Sequence, residues 1–350
     1  MMTLQLRRRI IILGIVALLA AIVLHRVYIF AANRADKGSE SSAYSALAGP
    51  FETSTADDLV LHDAQRNKDL HVKVTYPKAD GKFPVIVFSH GFGGSKDTYA
   101  SLTAYWAARG YVTIQPTHDD SIAQRKSNGQ IRGALQGLST LGQDIQDPVQ
   151  WRNRTRDISF VIDSLDEIER RIPDAAGKLD RTHIGVGGHS FGALTTELIG
   201  GLTFTPAGES KPQTLADRRV SALLVLSGAG PKQRGVEEES WTAITAPLML
   251  MTGTRDMGVG GLKPEQRIKP YELVHSVHKY AIVLDGGGHM TFTGIPAKAG
   301  TEPAVLYETV KVASVAFWDA YLKNSEKAEA YLHSPALVDF SNGKAQLNSE

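Results

Sequence analysis

Residues 183–202 read HIGVGGHSFGALTTELIGGL. His183–Gly187 is strand-like, and Phe191–Leu202 has the apolar spacing of a helix. Between them stands Gly188-His189-Ser190-Phe191-Gly192, a G-x-S-x-G sequence in the strand-to-helix setting that this motif needs. A sharp turn there lifts the Ser190 hydroxyl clear of the backbone, and small residues on both sides let the chain pass itself closely. The following helix offers its positive N-terminal end to a developing oxyanion. Ser190 is therefore the candidate nucleophile. The plainer reading of the same residues is a glycine-rich turn without chemistry. A dinucleotide-binding turn begun by Gly185-Val186-Gly187 is a third reading, but its fingerprint is broken. The third glycine falls on Ser190, and no acidic residue ends a following strand at the expected distance.

On both sides of this turn, strand and helix signals alternate. Leu59–His62 and Leu70–Tyr76 can form a hairpin around Arg66-Asn67-Lys68. Pro84–Ser89 is a continuous apolar run, as expected of a strand covered on both faces. Tyr99–Arg109 reads as a helix and Tyr111–Pro116 as a strand. Thr155–Arg171 carries Ile158, Val161, Ile162, Leu165 and Ile168 at helical spacing. Val220–Leu226, Pro247–Thr252 and Lys279–Leu284 are further strands, the last of these closing the sheet, and Glu302–Lys323 is a closing helix. The alternation predicts an α/β fold with a mostly parallel central sheet and helices on both faces. The catalytic domain is expected over residues 56–335, followed by a C-terminal tail at 336–350. No internal repeat is visible.

The segment 122–150 is long for a loop and leaves a strand end on the side where open α/β sheets place their sites. Ile131, Leu135, Leu138, Leu141 and Ile145 mark one apolar helical face, which Gly133, Gly137 and Gly142 weaken. A lid insertion and a helix packed on the core are equally compatible with this pattern. On the first reading, Leu135 and Leu138 shape the substrate pocket.

Composition narrows the function. With 42% hydrophobic and 21% charged residues the chain is globular rather than disordered. Its 38 basic residues against 37 acidic leave no excess to neutralise phosphates, so nucleic acid is not an expected partner. The absence of Cys excludes disulfides, thiolate metal sites and a Cys nucleophile. Oligomeric state is not legible.

Residues 1–32 read as a separate unit. Arg7, Arg8 and Arg9 precede an unbroken apolar run from Ile10 to Leu24, which resumes from Val27 to Ala32. The 23 residues from Ile10 to Ala32 are long enough to cross a membrane as a helix. Cutting after Ala32 or Ala31 would put Phe30 or Ile29 at the −3 position, which a signal peptidase disfavours, so an uncleaved signal anchor is the favoured reading. The arginine bias then puts the catalytic domain on the non-cytoplasmic side. Secretion after cleavage is the alternative. Residues 33–55, rich in Ser, Ala and Gly, read as a flexible tether.

Four segments carry a resemblance: Phe88-Ser89-His90-Gly91-Phe92-Gly93-Gly94, His118-Asp119-Asp120-Ser121, Arg154-Thr155-Arg156-Asp157, and Gly188 to Gly192. The chain after the tether resembles the α/β-hydrolase superfamily. Within it, the chain is most similar to the platelet-activating-factor acetylhydrolase and chlorophyllase group, with cutinase-like polyester hydrolases nearby. The resemblance implies a serine esterase that needs no cofactor or metal. It also implies an oxyanion hole formed by the backbone N–H groups of Phe92 and Phe191. His118 and Asp119 would lie near the pocket mouth; a metal cluster at His118-Asp119-Asp120 is the less favoured reading. Arg154, Arg156 and Asp157 are expected to be structural.

In this fold the base follows the last strand, and Leu284-Asp285-Gly286-Gly287-Gly288-His289 fits: a strand running into a glycine loop that presents an imidazole. His289 is the one among eleven histidines in that setting. Asp256, beyond the strand Pro247–Thr252, gives the chain order Ser, Asp, His. Asp285, four residues from His289, is the rival acid. In the plasma acetylhydrolase type the acid follows the preceding strand, where this chain has Leu226-Ser227-Gly228 and no carboxylate. The expected activity is hydrolysis of short-acyl or lipid-like esters by Ser190, His289 and Asp256. A serine peptidase or a non-catalytic binding protein on the same fold are the alternatives.

Overall fold

Among the described residues nine strands form one sheet, in the order β1-β2-β4-β3-β5-β8-β9-β10-β11. The computed structural model describes residues 44–47, 49–231, 235–257, 262–295 and 303–350. In chain order the strands are β1 (Thr53–Asp63), β2 (Lys68–Pro77), β3 (Phe83–Ser89), β4 (Val112–Pro116), β5 (Leu179–His189), β6 (Thr203–Phe204), β7 (Gln213–Thr214), β8 (Val220–Leu226), β9 (Leu248–Arg255), β10 (Lys279–Gly288) and β11 (Ala345–Ser349). The short β6 and β7 pair only with each other. From β4 through β10 the sheet is parallel; β1, β2 and β11 add antiparallel pairings at its two edges.

Every residue of β3 is buried, which explains its unbroken apolar run. Val85 and Val87 join the core that includes Ile158 of α2 (Pro148–Asp163) and Leu194 of α3 (Phe191–Gly200). On the other face Phe88 packs against Trp106, with ring centroids 5.5 Å apart. Trp106 belongs to α1 (Ala100–Ala108), and its indole N–H donates to Ser314 of α4 (Ala304–Leu322) at 2.8 Å. Helices therefore cover both faces, as the strand–helix alternation predicts.

Four boundaries differ from the sequence reading. The strand β1 begins at Thr53 and Ala46 is buried, so the folded unit starts inside the stretch read as a tether. The tail 336–350 is folded: Ala336–Phe340 is helical, and β11, not β10, closes the sheet. The helix read as Thr155–Arg171 starts earlier, at Pro148, where the Asp147 side chain accepts from the Val149 N–H. It breaks at Ser164, whose hydroxyl donates to Phe160 O at 2.7 Å. The remainder of segment 122–150 is three short helices, Ile122–Ser127, Ala134–Ser139 and Leu141–Asp144, not one amphipathic helix.

The anchor read over residues 1–32, and the tether as far as residue 43, lie outside the described residues. Among the described residues no helix is long and apolar enough to cross a membrane.

Candidate active site

The turn from β5 into α3 holds Ser190 at φ 57, ψ −114. Left-handed backbone is costly for a residue with a side chain, and the surroundings impose it. A Cβ on Gly188 would stand 2.2 Å from Gly192 O, and one on Gly192 would stand 2.0 Å from Ser89 O. Only glycine fits at either position, which is the physical content of the G-x-S-x-G spacing. The Ser190 N–H donates to Leu226 O at 3.0 Å, tying the turn to the end of β8.

His289, beyond the glycine end of β10, brings its Nε2 to 3.0 Å from Ser190 Oγ. Its Nδ1 lies 3.0 Å from Asp256 Oδ1. With Nε2 accepting from the serine hydroxyl, Nδ1 carries the proton and donates to the carboxylate. Asp256 is fully buried at the end of β9, and Thr252 donates to its other oxygen at 2.9 Å. Burial raises its pKa, but hydrogen bonding from His289 and the Arg267 guanidinium outweigh this and hold it below the ordinary carboxylate value. The rival Asp285 is exposed and paired with Lys344 Nζ at 2.6 Å.

Two residues at this centre were given no role by the sequence reading. Ser227, just after β8, places its Oγ 2.8 Å from His289 Nδ1. His189, the variable residue of the motif, is buried with Nε2 2.9 Å from the backbone oxygen of His289 and Nδ1 2.7 Å from the Tyr99 hydroxyl. A carbonyl only accepts, so Nε2–H donates to it and Tyr99 donates to Nδ1. Burial, then the neighbouring His289, depress the His189 pKa to about 3, so the ring stays neutral and clasps the loop that carries His289.

The His90-Gly91-Phe92-Gly93 turn is fixed from behind. Arg154 Nη1 donates to His90 O at 2.8 Å, Gly93 N–H donates to Asp120 Oδ2 at 3.0 Å, and Gly91 N–H donates to the Tyr99 hydroxyl at 3.3 Å. Arg154 also holds Asp120 through Nε and Nη2 and lies over the Phe191 ring, 4.2 Å from its centroid. One guanidinium thus braces both the Phe92 turn and the residue after Ser190. Within the described residues, neither the Phe92 nor the Phe191 N–H has a hydrogen-bond acceptor.

His118 is not at a pocket mouth. It is fully buried, Nδ1 donating to Asp157 at 2.8 Å and Nε2 accepting from Ser89 at 2.9 Å. Burial, reinforced by Arg154, pushes its pKa well down and keeps the ring neutral. Asp119 faces outward and pairs with Lys68 at 2.9 Å. Leu135 and Leu138 are 85% and 48% exposed, so they neither pack on the core nor wall a cavity. A groove of about 760 Å³ runs between Gln143–Pro148 and Thr205–Ala207, and Ser190, Asp256 and His289 are not among its lining residues. Among the described residues no group of three or more His, Asp or Glu side chains is arranged to hold a metal ion.

Two comparisons bear on this arrangement. The family model described as platelet-activating factor acetylhydrolase, isoform II, matches residues 53–132, the stretch from β1 through the Phe92 turn to Arg132. The platelet-activating factor acetylhydrolase of Cavia porcellus is 22% identical over 275 residues, covering 70% of this chain. The chain spans 59% of that relative's length. The parallel sheet, the Ser190 turn and both comparisons agree: the chain resembles the serine esterases of the platelet-activating factor acetylhydrolase group of α/β-hydrolases.

Proposed function

We propose that the chain hydrolyses carboxylic esters through an acyl-enzyme on Ser190. The observation that carries this reading is the unbroken hydrogen-bond chain from Ser190 Oγ through His289 to buried Asp256. Ser190 Oγ attacks the acyl carbon while His289 Nε2 takes its proton, and Asp256 stabilises the imidazolium that results. The unpartnered N–H groups of Phe92 and Phe191 receive the oxyanion, each such donor being worth roughly 3–4 kcal/mol in acyl transfer. The alcohol leaves with the proton from His289. Water, deprotonated by the same nitrogen, then releases the carboxylic acid and regenerates Ser190.

The relative is named for acetyl hydrolysis, which favours short-acyl and lipid-like esters as substrates. Labelling with a fluorophosphonate, followed by turnover of an ester panel graded in acyl length beside peptide substrates, tests the proposal. Labelling confined to Ser190 and lost in Ser190→Ala, with ester turnover, is expected. Peptide turnover alone would make the chain a peptidase, and no labelling at all would make it a binding protein. We further propose, from Arg7–Arg9 and the apolar run after them, that residues 1–32 anchor the enzyme in a membrane with its catalytic domain on the non-cytoplasmic side. Retention in membranes after alkaline carbonate extraction, with residues 1–32 still attached, is the expected result.

A further inference from the structure

Among the described residues, five that are not glycine adopt positive φ: Asn67, Ser190, Ser227, Asn324 and Asn342. Asparagine tolerates this region, because its short amide bonds locally to the backbone. Serine has less reason to be there. The two serines share one neighbour: Ser190 Oγ lies 3.0 Å from Nε2 of His289, and Ser227 Oγ lies 2.8 Å from its Nδ1. Both strained hydroxyls therefore address the ring nitrogens of a single imidazole.

The strain at Ser227, φ 52, is imposed by specific contacts. Its N–H donates to Met251 O at 2.7 Å, and Arg267 Nη1 donates to Ser227 O at 3.2 Å and Gly228 O at 2.7 Å. These bonds use only main-chain atoms of the turn, so glycine would satisfy them equally and without strain. What glycine lacks is the hydroxyl. That hydroxyl is buried and lies 2.8 Å from His289 Nδ1, where it accepts from the same N–H that Asp256 accepts from.

We propose that Ser227 is a positioning residue for the proposed base: its hydroxyl gives His289 Nδ1 a second acceptor beside Asp256, and the two together fix the plane of the imidazole. Asp256 alone leaves rotation about the His289 Cβ–Cγ bond restrained at one point. A second acceptor on the same N–H, approaching from the turn after β8, narrows that rotation and keeps Nε2 aimed at Ser190. The inference rests on the ester-hydrolase reading above and adds a fourth residue to its proton-transfer machinery.

The decisive variant is Ser227→Gly, which removes the hydroxyl while relieving the backbone strain; Ser227→Ala removes the same hydroxyl and keeps the strain. Steady-state turnover of the best ester from the panel, read beside thermal unfolding, separates the roles. We expect Ser227→Gly to lose about tenfold or more in kcat, with KM unchanged and Tm equal to or above that of the parent chain. Ser227→Ala should lose a similar factor in kcat and have a lower Tm than the glycine variant. A Ser227→Gly enzyme within about twofold of the parent in kcat, or one whose loss of kcat tracks a fall in Tm, overturns the proposal. The parent chain is the control for the reading beneath it: if the parent neither labels at Ser190 nor turns over esters, the ester-hydrolase reading has failed, whereas a parent that does both leaves the variants to judge Ser227.

Discussion

At the scale of single residues, the structure separates groups that look alike in sequence. Asp256 and Asp285 both stand near His289 in the chain's order of strands, yet one is fully buried against Nδ1 and the other is exposed and paired with Lys344. Asp256→Asn should lower kcat by roughly four orders of magnitude, because the amide holds the wrong imidazole tautomer. Asp285→Asn removes only an exposed, solvent-screened ion pair, and its kcat should stay within about twofold of the parent. Equal losses in the two variants would return the acid assignment to open question. Glu197, on α3 behind the site, has a different fate. Its Oε1 accepts from the Trp241 indole at 3.0 Å, its Oε2 has no partner, and burial pushes its pKa up to about 8. The folded chain thus holds a proton that the unfolded chain releases near 4.5. Stability should be free of this penalty below that value, fall as pH rises through the interval up to about 8, and level off above it. Glu197→Gln, shaped like the neutral acid, cannot ionise. Urea unfolding at pH 5 and pH 8.5 should show the variant gaining on the parent by a few kcal/mol at the higher pH. A gap that is the same at both pH values would mean Glu197 does not titrate in the fold.

At the scale of elements, what was legible was what is local. The Ser190 turn could be read because a strand, two obligatory glycines and a helix lie within ten residues of one another. The strand-plus-glycine approach to His289 is equally compact. Arg154 could not be given its bracing role, since its partners His90, Asp120 and Phe191 come from three other strand ends and meet it only through the sheet order. Ser227 was noticed only for the carboxylate it lacks, because no pattern in the sequence reports a left-handed serine. The 122–150 segment failed in the opposite way: its helical period is real, but glycines and the Ser139-Thr140 step cut it into pieces too short to present a continuous face. Gly137, not a leucine, is the buried residue of the middle piece, where an added Cβ would meet Ile122 at 2.8 Å. Replacing Leu135 and Leu138 together with Ser should therefore leave Tm within about 2 °C of the parent, as exposed substitutions do. A drop of about 8 °C or more in differential scanning calorimetry would mean that these side chains pack in solution against a surface the structure leaves uncovered.

At the scale of the whole molecule, the strand that leads to His289 is bordered by an edge strand that the sequence barely announces. The β11 segment Ala345–Ser349 is mostly polar, with Ala345 its one buried side chain, because an edge strand contributes main-chain hydrogen bonds rather than core. Its register runs from Tyr280 opposite Ser349 to Leu284 opposite Ala345, and Asp285 N–H continues the pairing by donating to Lys344 O at 2.7 Å. It therefore covers the outer edge of β10 up to the point where the glycine loop leaves for His289. Ending the chain at Phe340 would expose one edge of Tyr280–Leu284, a run of five apolar residues whose outward-facing N–H and C=O groups would be unpaired, which is a template for another chain. The formal net charge of +1 supplies almost no repulsion to oppose that association. The truncated protein should unfold at a lower temperature. It should also show apparent mass rising with concentration in light scattering at neutral pH, and a slower rate of fluorophosphonate labelling than the full chain at the lowest concentration. The labelling rate isolates the local effect, since at that concentration association is suppressed and only the loosened path from Leu284 to His289 remains. A truncated chain that stays monodisperse and labels at the parent rate would show that β10 holds the base in place without its outer neighbour.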